Sequence, residues 1–355
     1  MKKSIFHLLI IGFTLLNNKN IKKILVINTK YLGDLIVCTP ALRALKKSFP
    51  NSSISILVRQ EYKEVLTGNP NVDEIIPFDF STKKIRGLER LKREWKFVRY
   101  LRRQKFDAVI SLQSGDRYAQ WSFLTGAKIR VAPKKQNMGF LLTEKVEVYE
   151  DTISYLDYYL KIAETFGTLA DGKQTEFHLD NNFKVWFESF IGKHDVGNDD
   201  KLIGIHAGAS EPTKIWPLEK FENLIEKLLT DHKTKIVLFV GPAEKKIAER
   251  FSQIQNSRII VADTSGSIQQ LAWLINSCRL FIANDSGARH IAAALNVPSI
   301  TLFPEDKISC WKFYEELGNQ HFIIGKRNMS DPANMFLDSI EVDTVYEKVR
   351  EILSK

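Results

Sequence analysis

The residues with chemical potential in this chain recur at one kind of place, just after a hydrophobic run and just before an amphipathic one. Asp34 follows "KILVINTKYLG", Lys214 closes "GIHAGASEPTK", Glu244 follows "KIVLFVGPA", and Asp285 follows "LFIAN". A carboxylate at such a turn can take a proton from a hydroxyl. A lysine beside small residues with free backbone N–H groups can hold phosphate oxygens. Each also has a plain structural alternative. Asp34 follows the permissive Gly33, and it either starts a helix or sits in a loop while Thr39 caps one with Pro40 at its first position. Asp285, Ser286 and Gly287 make an ordinary helix start, yet a helix start is also an anion site. His290 is one turn further on and is either a phosphate or hydroxyl ligand or a partly buried structural histidine. Gly208, Ser210, Thr213 and Lys214 form either a diphosphate cradle or a solvated loop. Glu244 in a first helical turn favours the helix dipole, with ribose or base recognition as the alternative.

The elements that carry these turns alternate between strand-like and helix-like character, which specifies an α/β fold with parallel sheets. In the first half "KILVINT", "SISILV", "VDEIIPF" and "FDAVISLQ" read as strands. Helices are expected near 39–48, 86–104 and 151–167, with low-periodicity sequence over "TGAKIRVAPKKQNMGFLLTEKV". The second half repeats the plan, with "LIGIHAG", "KIVLFVG", "IIVADTSG", "LFIANDSG" and finally "SITLFP" as strands. Polar stretches between 170 and 200 mark the boundary. Ligands of such sheets bind at the carboxyl ends of strands, where these turns lie.

At 355 residues the chain is long enough for two domains, and its composition is that of a globular protein. The net charge of +9 asks for an anionic partner. It is concentrated in "KKIRGLERLKREWKFVRYLRRQK" (83–105), which suits the phosphates of a nucleic acid or lipid. Trp95, Phe97 and Tyr100 of this run are expected to pack inward. Cys38, Cys278 and Cys310 form no C-x-x-C pair, which fits a reducing compartment. Residues 1–20 carry an apolar run too short to span a membrane and lacking a small-residue cleavage site. They read as a membrane-surface segment or a dispensable extension. No D-x-D, H-x-x-x-H or Cys/His cluster indicates a metal site, and neither G-x-G-x-x-G nor G-x-S-x-G occurs.

In order and spacing, "ILVINTKYLGDLIVCTPALRALKKSFP", "IGIHAGASEPTKIWPLEKF", "FVGPAEKKIAE" and "NDSGARHIAAALNVPSITLFP" resemble the family 9 glycosyltransferases, the ADP-heptose:lipopolysaccharide heptosyltransferases among them. The resemblance covers about residues 22 to 350. It implies a GT-B fold, two Rossmann-like doubly wound domains facing a central cleft. The domains are expected at 21–178 for the acceptor and 179–330 for the nucleotide-sugar, with 331–355 crossing back to the first. It further implies inverting, metal-independent transfer with no cofactor. Asp34 falls on the general base, joined on the acceptor side by Lys30 and Gly33. Lys214 falls near the donor phosphates, as catalytic and donor-binding residue, with His206, Ser210 and Thr213. Glu244 falls near the nucleoside, and Asp285, Ser286, Gly287 and His290 complete the donor set. The implied partners are a nucleotide-sugar and a phosphorylated lipid-linked saccharide, handled in the cytoplasm or peripherally at the inner face of its membrane. Two rivals stand beside this: a GT-B enzyme of other sugar specificity or a sugar-nucleotide epimerase, and a non-catalytic phosphate- or RNA-binding protein. The second leaves the ordered Asp34, Lys214 and D-S-G-x-x-H set unexplained, so no nucleic acid is expected.

Overall fold

The structure, a computed structural model, describes residues 21–80, 87–149, 153–241, 244–252, 254, 256–305, 310–326 and 336–354. Residues 1–20 and 331–335, the start of the basic run at 83–86, Pro242 of the Gly-Pro turn and the first two residues of the 151–167 segment lie outside these. Contacts divide the chain into two units, the first ending at Glu176 and the second starting at Phe177.

In the first unit the strands are β1 (Lys23–Ile27), β2 (Ser53–Arg59), β3 (Glu74–Phe78), β4 (Ala108–Ser111), β5 (Ile129–Pro133) and β6 (Glu144–Val146). They lie in the order β3-β2-β1-β4-β5-β6, every neighbouring pair parallel. The central strands are buried over four or more consecutive residues, because helices cover both faces of a parallel sheet. The helices are α1 (Leu32–Val37), α2 (Thr39–Ser48), α3 (Leu88–Arg103), α4 (Asp116–Leu124) and α5 (Tyr155–Thr165).

The second unit has α6 (Lys184–Lys193), β7 (Lys201–His206), α7 (Leu218–Leu228), β8 (Thr234–Val240), α8 (Lys245–Ser252), β9 (Ile259–Asp263) and α9 (Ile268–Ser277). It continues with β10 (Leu280–Asn284), α10 (Gly287–Ala294), β11 (Ser299–Pro304), β12 (Gln320–Gly325) and α11 (Val342–Leu353). Its sheet runs β12-β11-β10-β7-β8-β9, all parallel. Counted from each unit's own first strand, both sheets have the order 3-2-1-4-5-6. Strand order therefore reverses between β1 and β4 in one unit and between β7 and β10 in the other, where a doubly wound sheet opens a crevice.

Three strands escape the sequence pattern: β5, β6 and β12. The first two lie in the stretch read as low-periodicity. They are five and three residues long, and charged side chains (Arg130, Glu144, Lys145) interrupt their apolar runs. Helix α3 departs from expectation on one face. Phe97 packs inward, with its ring centroid 4.4 Å from Phe78 and 5.3 Å from Trp121. Trp95 and Tyr100 instead face water, with 62% and 39% exposure, because Leu101, Phe97 and Val98 already supply the inward side. Helix α11, for which a crossing to the first domain is the expectation, buries Val345 and Val349 in the second unit's own core beside α7.

Candidate active site

Asn284 ends β10 fully buried, where an unpaired amide would be costly. Its Nδ2 donates to the Ala207 carbonyl at 2.7 Å, and its Oδ1 accepts the Trp216 backbone N–H at 3.2 Å. The end of β10 is thereby tied to the loop leaving β7. Trp216 is itself buried, edge-on to Phe221 at 4.8 Å, and donates its indole N–H to the Ile340 carbonyl at 3.0 Å. This anchor fixes the short 3₁₀ turn Pro212–Lys214, which delivers Lys214 to Asp285.

Lys214 Nζ donates to Asp285 Oδ2 at 3.0 Å and lies 3.5 Å from Glu211 Oε1. From the other side Arg289 Nε donates to Asp285 Oδ1 at 2.9 Å. Burial pushes the Asp285 carboxyl up, but Arg289 and Lys214 outweigh it and hold the pKa at about 2. The acid is therefore ionised at every physiological pH. Arg289 is almost wholly buried, its guanidinium 4.7 Å from the Trp311 ring and 5.3 to 5.9 Å from Phe303, Tyr314 and Phe322. A weakly hydrated planar cation tolerates such an aromatic box where an ammonium would not. Among the described residues, Arg289 Nη2 and Ser286 Oγ are buried without a hydrogen-bond partner. Atoms left in that state cost about 1–3 kcal/mol each. They stand at the start of α10, where helix N–H groups also lack intrahelical partners.

His290 is buried, with Nδ1 against the Tyr314 hydroxyl at 2.7 Å. Burial, then the Arg289 charge, drives its pKa well below the ordinary 6.5, so the ring is neutral. His290 favours the fold above about pH 6.5, and that contribution is lost as pH falls toward its depressed value.

At the ends of β7 and β8, the Glu244 carboxylate accepts the Gly241 backbone N–H and lies 3.9 Å from His206 Nε2. Burial lowers the His206 pKa against the pull of Glu244. Two glycines make room for this carboxylate. A Cβ on Gly208 would stand 2.2 Å from Glu244 Oε1 and 2.6 Å from its Cδ, and one on Gly241 would stand 2.5 Å from Oε2. Thr213 is half-buried on the loop and Ser210 exposed.

The first unit's switch point is built differently. Gln113, just past β4, accepts the Thr29 N–H (3.1 Å) and donates to Thr29 Oγ1 (2.8 Å), while Arg59 Nε donates to the Thr29 carbonyl (2.7 Å). The exit of β1 is thus fixed from both neighbouring strands. Helix α1 starts at Leu32, before Asp34, and stops at Val37; α2 restarts at Thr39 with Pro40 in its first turn. Asp34 consequently lies inside a short helix of its own. Its Oδ2 accepts the Tyr31 N–H at 3.3 Å, so it does cap. Its Oδ1 accepts the Tyr159 hydroxyl at 2.7 Å and lies 4.0 Å from Lys30 Nζ, with the side chain still 16% exposed. Lys30 in turn faces the rings of Tyr155, Tyr158 and Tyr159 at 5.4, 5.7 and 6.0 Å. The sequence reading did not anticipate the three tyrosines, although their spacing at i, i+3 and i+4 in α5 places them on one helix face. Cys38, by contrast, is fully buried and pushed up to about 12, too protonated to act as a nucleophile.

Among the described residues no group of three or more His, Cys, Asp or Glu is arranged to hold a metal ion. Nor is any of their helices long and apolar enough to cross a membrane.

Two doubly wound six-stranded units, each with polar groups gathered at its switch point, define the GT-B class of glycosyltransferase folds. The chain belongs to glycosyltransferase family 9 (heptosyltransferase), whose family model matches residues 94–332. Lys214, Glu244 and Asp285 fall inside that match and Asp34 before it. Lipopolysaccharide heptosyltransferase 3 of Escherichia coli is 23% identical over 335 residues, covering 91% of this chain and 97% of the relative. A family 9 glycosyl transferase from Veillonella parvula superposes with a TM-score of 0.81 at 24% identity, covering 94% of this chain and 97% of that one. An E. coli heptosyltransferase solved with ADP-2-deoxy-2-fluoro heptose gives 0.71 at 18% identity, covering 93% and 99%.

Proposed function

We propose that this enzyme transfers a heptose or closely related sugar from a nucleotide-sugar, ADP-heptose, to a lipopolysaccharide core acceptor. Transfer is inverting and metal-independent, with Asp34 as general base. The observation that carries the reading is the Lys214–Asp285–Arg289 cluster at the second unit's switch point, with Ser286 Oγ and Arg289 Nη2 buried and unpartnered beside it. A diphosphate supplies the acceptors those donors lack. Asp285 holds Lys214 in place with one carboxylate oxygen, leaving the ammonium further donors for the phosphates.

In the reaction the acceptor hydroxyl attacks the anomeric carbon and its proton passes to Asp34. The bond from the anomeric carbon to the diphosphate breaks, and the nucleoside diphosphate departs with the bonding electron pair. Lys214 and the N–H groups at the start of α10 stabilise that developing charge. The Tyr159 hydroxyl and the Tyr31 N–H hold the Asp34 carboxylate oriented. We infer a phosphorylated, lipid-linked acceptor, met in the cytoplasm or peripherally at the inner face of its membrane.

Calorimetric titration with ADP, GDP, UDP and CDP tests the donor assignment: ADP binds most tightly, and indistinguishable weak binding of all four contradicts it. Glu244 is assigned to the nucleoside, and its dependence on Gly208 gives a sharper test. Gly208→Ala evicts the carboxylate, so Gly208→Ala and Glu244→Ala each weaken ADP binding by roughly tenfold, about 1.4 kcal/mol. The double variant loses no more than either single. Additive losses would show that Gly208 and Glu244 act separately.

A further inference from the structure

Helix α3 is the part of the first unit that the site leaves unused. It carries seven cations and two acids. Leu101 is fully buried and Phe97 joins the aromatic cluster of Phe78 and Trp121, so the inward side is satisfied. On another side Leu88, Leu91 and Trp95, at i, i+3 and i+7, face water with 75%, 65% and 62% exposure. Lys92, Lys96, Arg99 and Arg103, at i, i+4, i+7 and i+11, form an exposed row alongside. Arg99 stacks on the Trp95 ring at 5.1 Å, joining the two rows. Of the two acids, Glu94 is engaged by Arg117 at 2.9 Å, which leaves Glu89 alone beside seven cations. Beside the apolar row, Leu91, Trp95, Val98 and Leu124 line an open groove of about 1010 Å³ between α3 and α4.

Nucleic acid would account for the cations but gives Leu88 and Leu91 nothing to contact. An apolar protein surface would cover the leucines but leave the cation row uncompensated. A sheet of lipid phosphates above acyl chains answers both, since amphipathic helices lie in that plane with basic side chains at headgroup level. We propose that this face of the first unit docks on an anionic phospholipid bilayer. Leu88, Leu91 and Trp95 enter below the headgroups, while Lys92, Lys96 and Arg99 bind lipid phosphates. The inference rests on α3 alone and not on the sugar assignment.

The test is flotation of the full chain with vesicles of phosphatidylglycerol and phosphatidylethanolamine, against vesicles of phosphatidylcholine. The chain floats with the anionic vesicles and not with the neutral ones. The triple variant Lys92→Gln/Lys96→Gln/Arg99→Gln lowers partition at least about tenfold. Leu88→Ser/Leu91→Ser/Trp95→Ser does the same, with thermal melting showing both variants folded. Brominated lipid quenches a tryptophan signal that Trp95→Phe abolishes. Both triple variants keep wild-type transfer to a deacylated, water-soluble acceptor, so a failure of the sugar assignment reads out separately. The proposal is overturned if the wild type stays unbound, if it floats equally with phosphatidylcholine, or if both triple variants float like wild type. It is equally overturned by binding to an acidic peptide or RNA without any Trp95 quenching by lipid.

Discussion

Asp34→Asn lowers kcat by about 10²–10⁴-fold while ADP affinity stays within about twofold of wild type. The amide keeps the volume of the carboxyl, and its oxygen still accepts the Tyr31 N–H that Asp34 Oδ2 accepts at 3.3 Å. The short helix Leu32–Val37 therefore keeps its start, while the basicity and the acceptor for the Tyr159 hydroxyl are removed. The split between kcat and donor affinity is the informative part, since every residue assigned to the donor belongs to the second unit. Tyr159→Phe separates positioning from chemistry. It deletes the 2.7 Å hydrogen bond to Oδ1 but leaves the carboxylate, so turnover falls by less than in Asp34→Asn. Near-normal turnover in Asp34→Asn would reduce that residue to a helix cap.

Lys214→Ala lowers kcat/KM by about 10²–10³-fold, the range for removing one donor that stabilises developing negative charge. Its effect on stability is small, because Asp285 keeps the 2.9 Å hydrogen bond from Arg289. Arg289→Met also removes a donor aimed at the diphosphate, but its larger effect is on stability. It strips a 2% exposed cation from a buried ion pair and destabilises the fold by about 3 kcal/mol. Acid titration tests the distinction. With its pKa held at about 2, below the ordinary 3.8, Asp285 contributes stability that is complete above pH 3.8 and fades as pH falls toward 2. Without Arg289 the folded-state carboxyl titrates at higher pH, closer to the ordinary 3.8, so less stability is lost below pH 3.8. A Lys214→Ala enzyme that melts early yet turns over normally would reverse the two assignments.

The doubly wound architecture was legible because parallel strands buried on both faces leave continuous apolar runs such as "KILVI" and "LFIAN", and the turns after them carry the polar residues. Elements and contacts set by distant sequence were not legible. The strand Gln320–Gly325 is short and half-exposed along much of its length, so little in its pattern marks it as the end of a sheet. Arg289 had no account from its neighbours, because Phe303, Trp311, Tyr314 and Phe322, which box it, come from later elements. Tyr159 reaches Asp34 across 125 residues. Hydrophobicity alone puts Trp95 inward, but whether an aromatic on a helix faces core or water depends on which other side chains already fill the core. The choice between capping and a surface-facing carboxylate at Asp34 also needed coordinates. The chain restarts its helix at Thr39, which lets one residue do both.

Heptosyl transfer from a nucleotide-sugar is read out by mass spectrometry of a defined reaction. ADP-heptose is incubated with a deacylated lipopolysaccharide core acceptor, with the chain present and absent, in buffer containing a metal chelator. The acceptor gains the mass of one heptose, with inverted anomeric configuration and stoichiometric ADP, only in the presence of the chain. Release of free sugar or ADP at the same rate without acceptor, and no mass gain when acceptor is supplied, would contradict it.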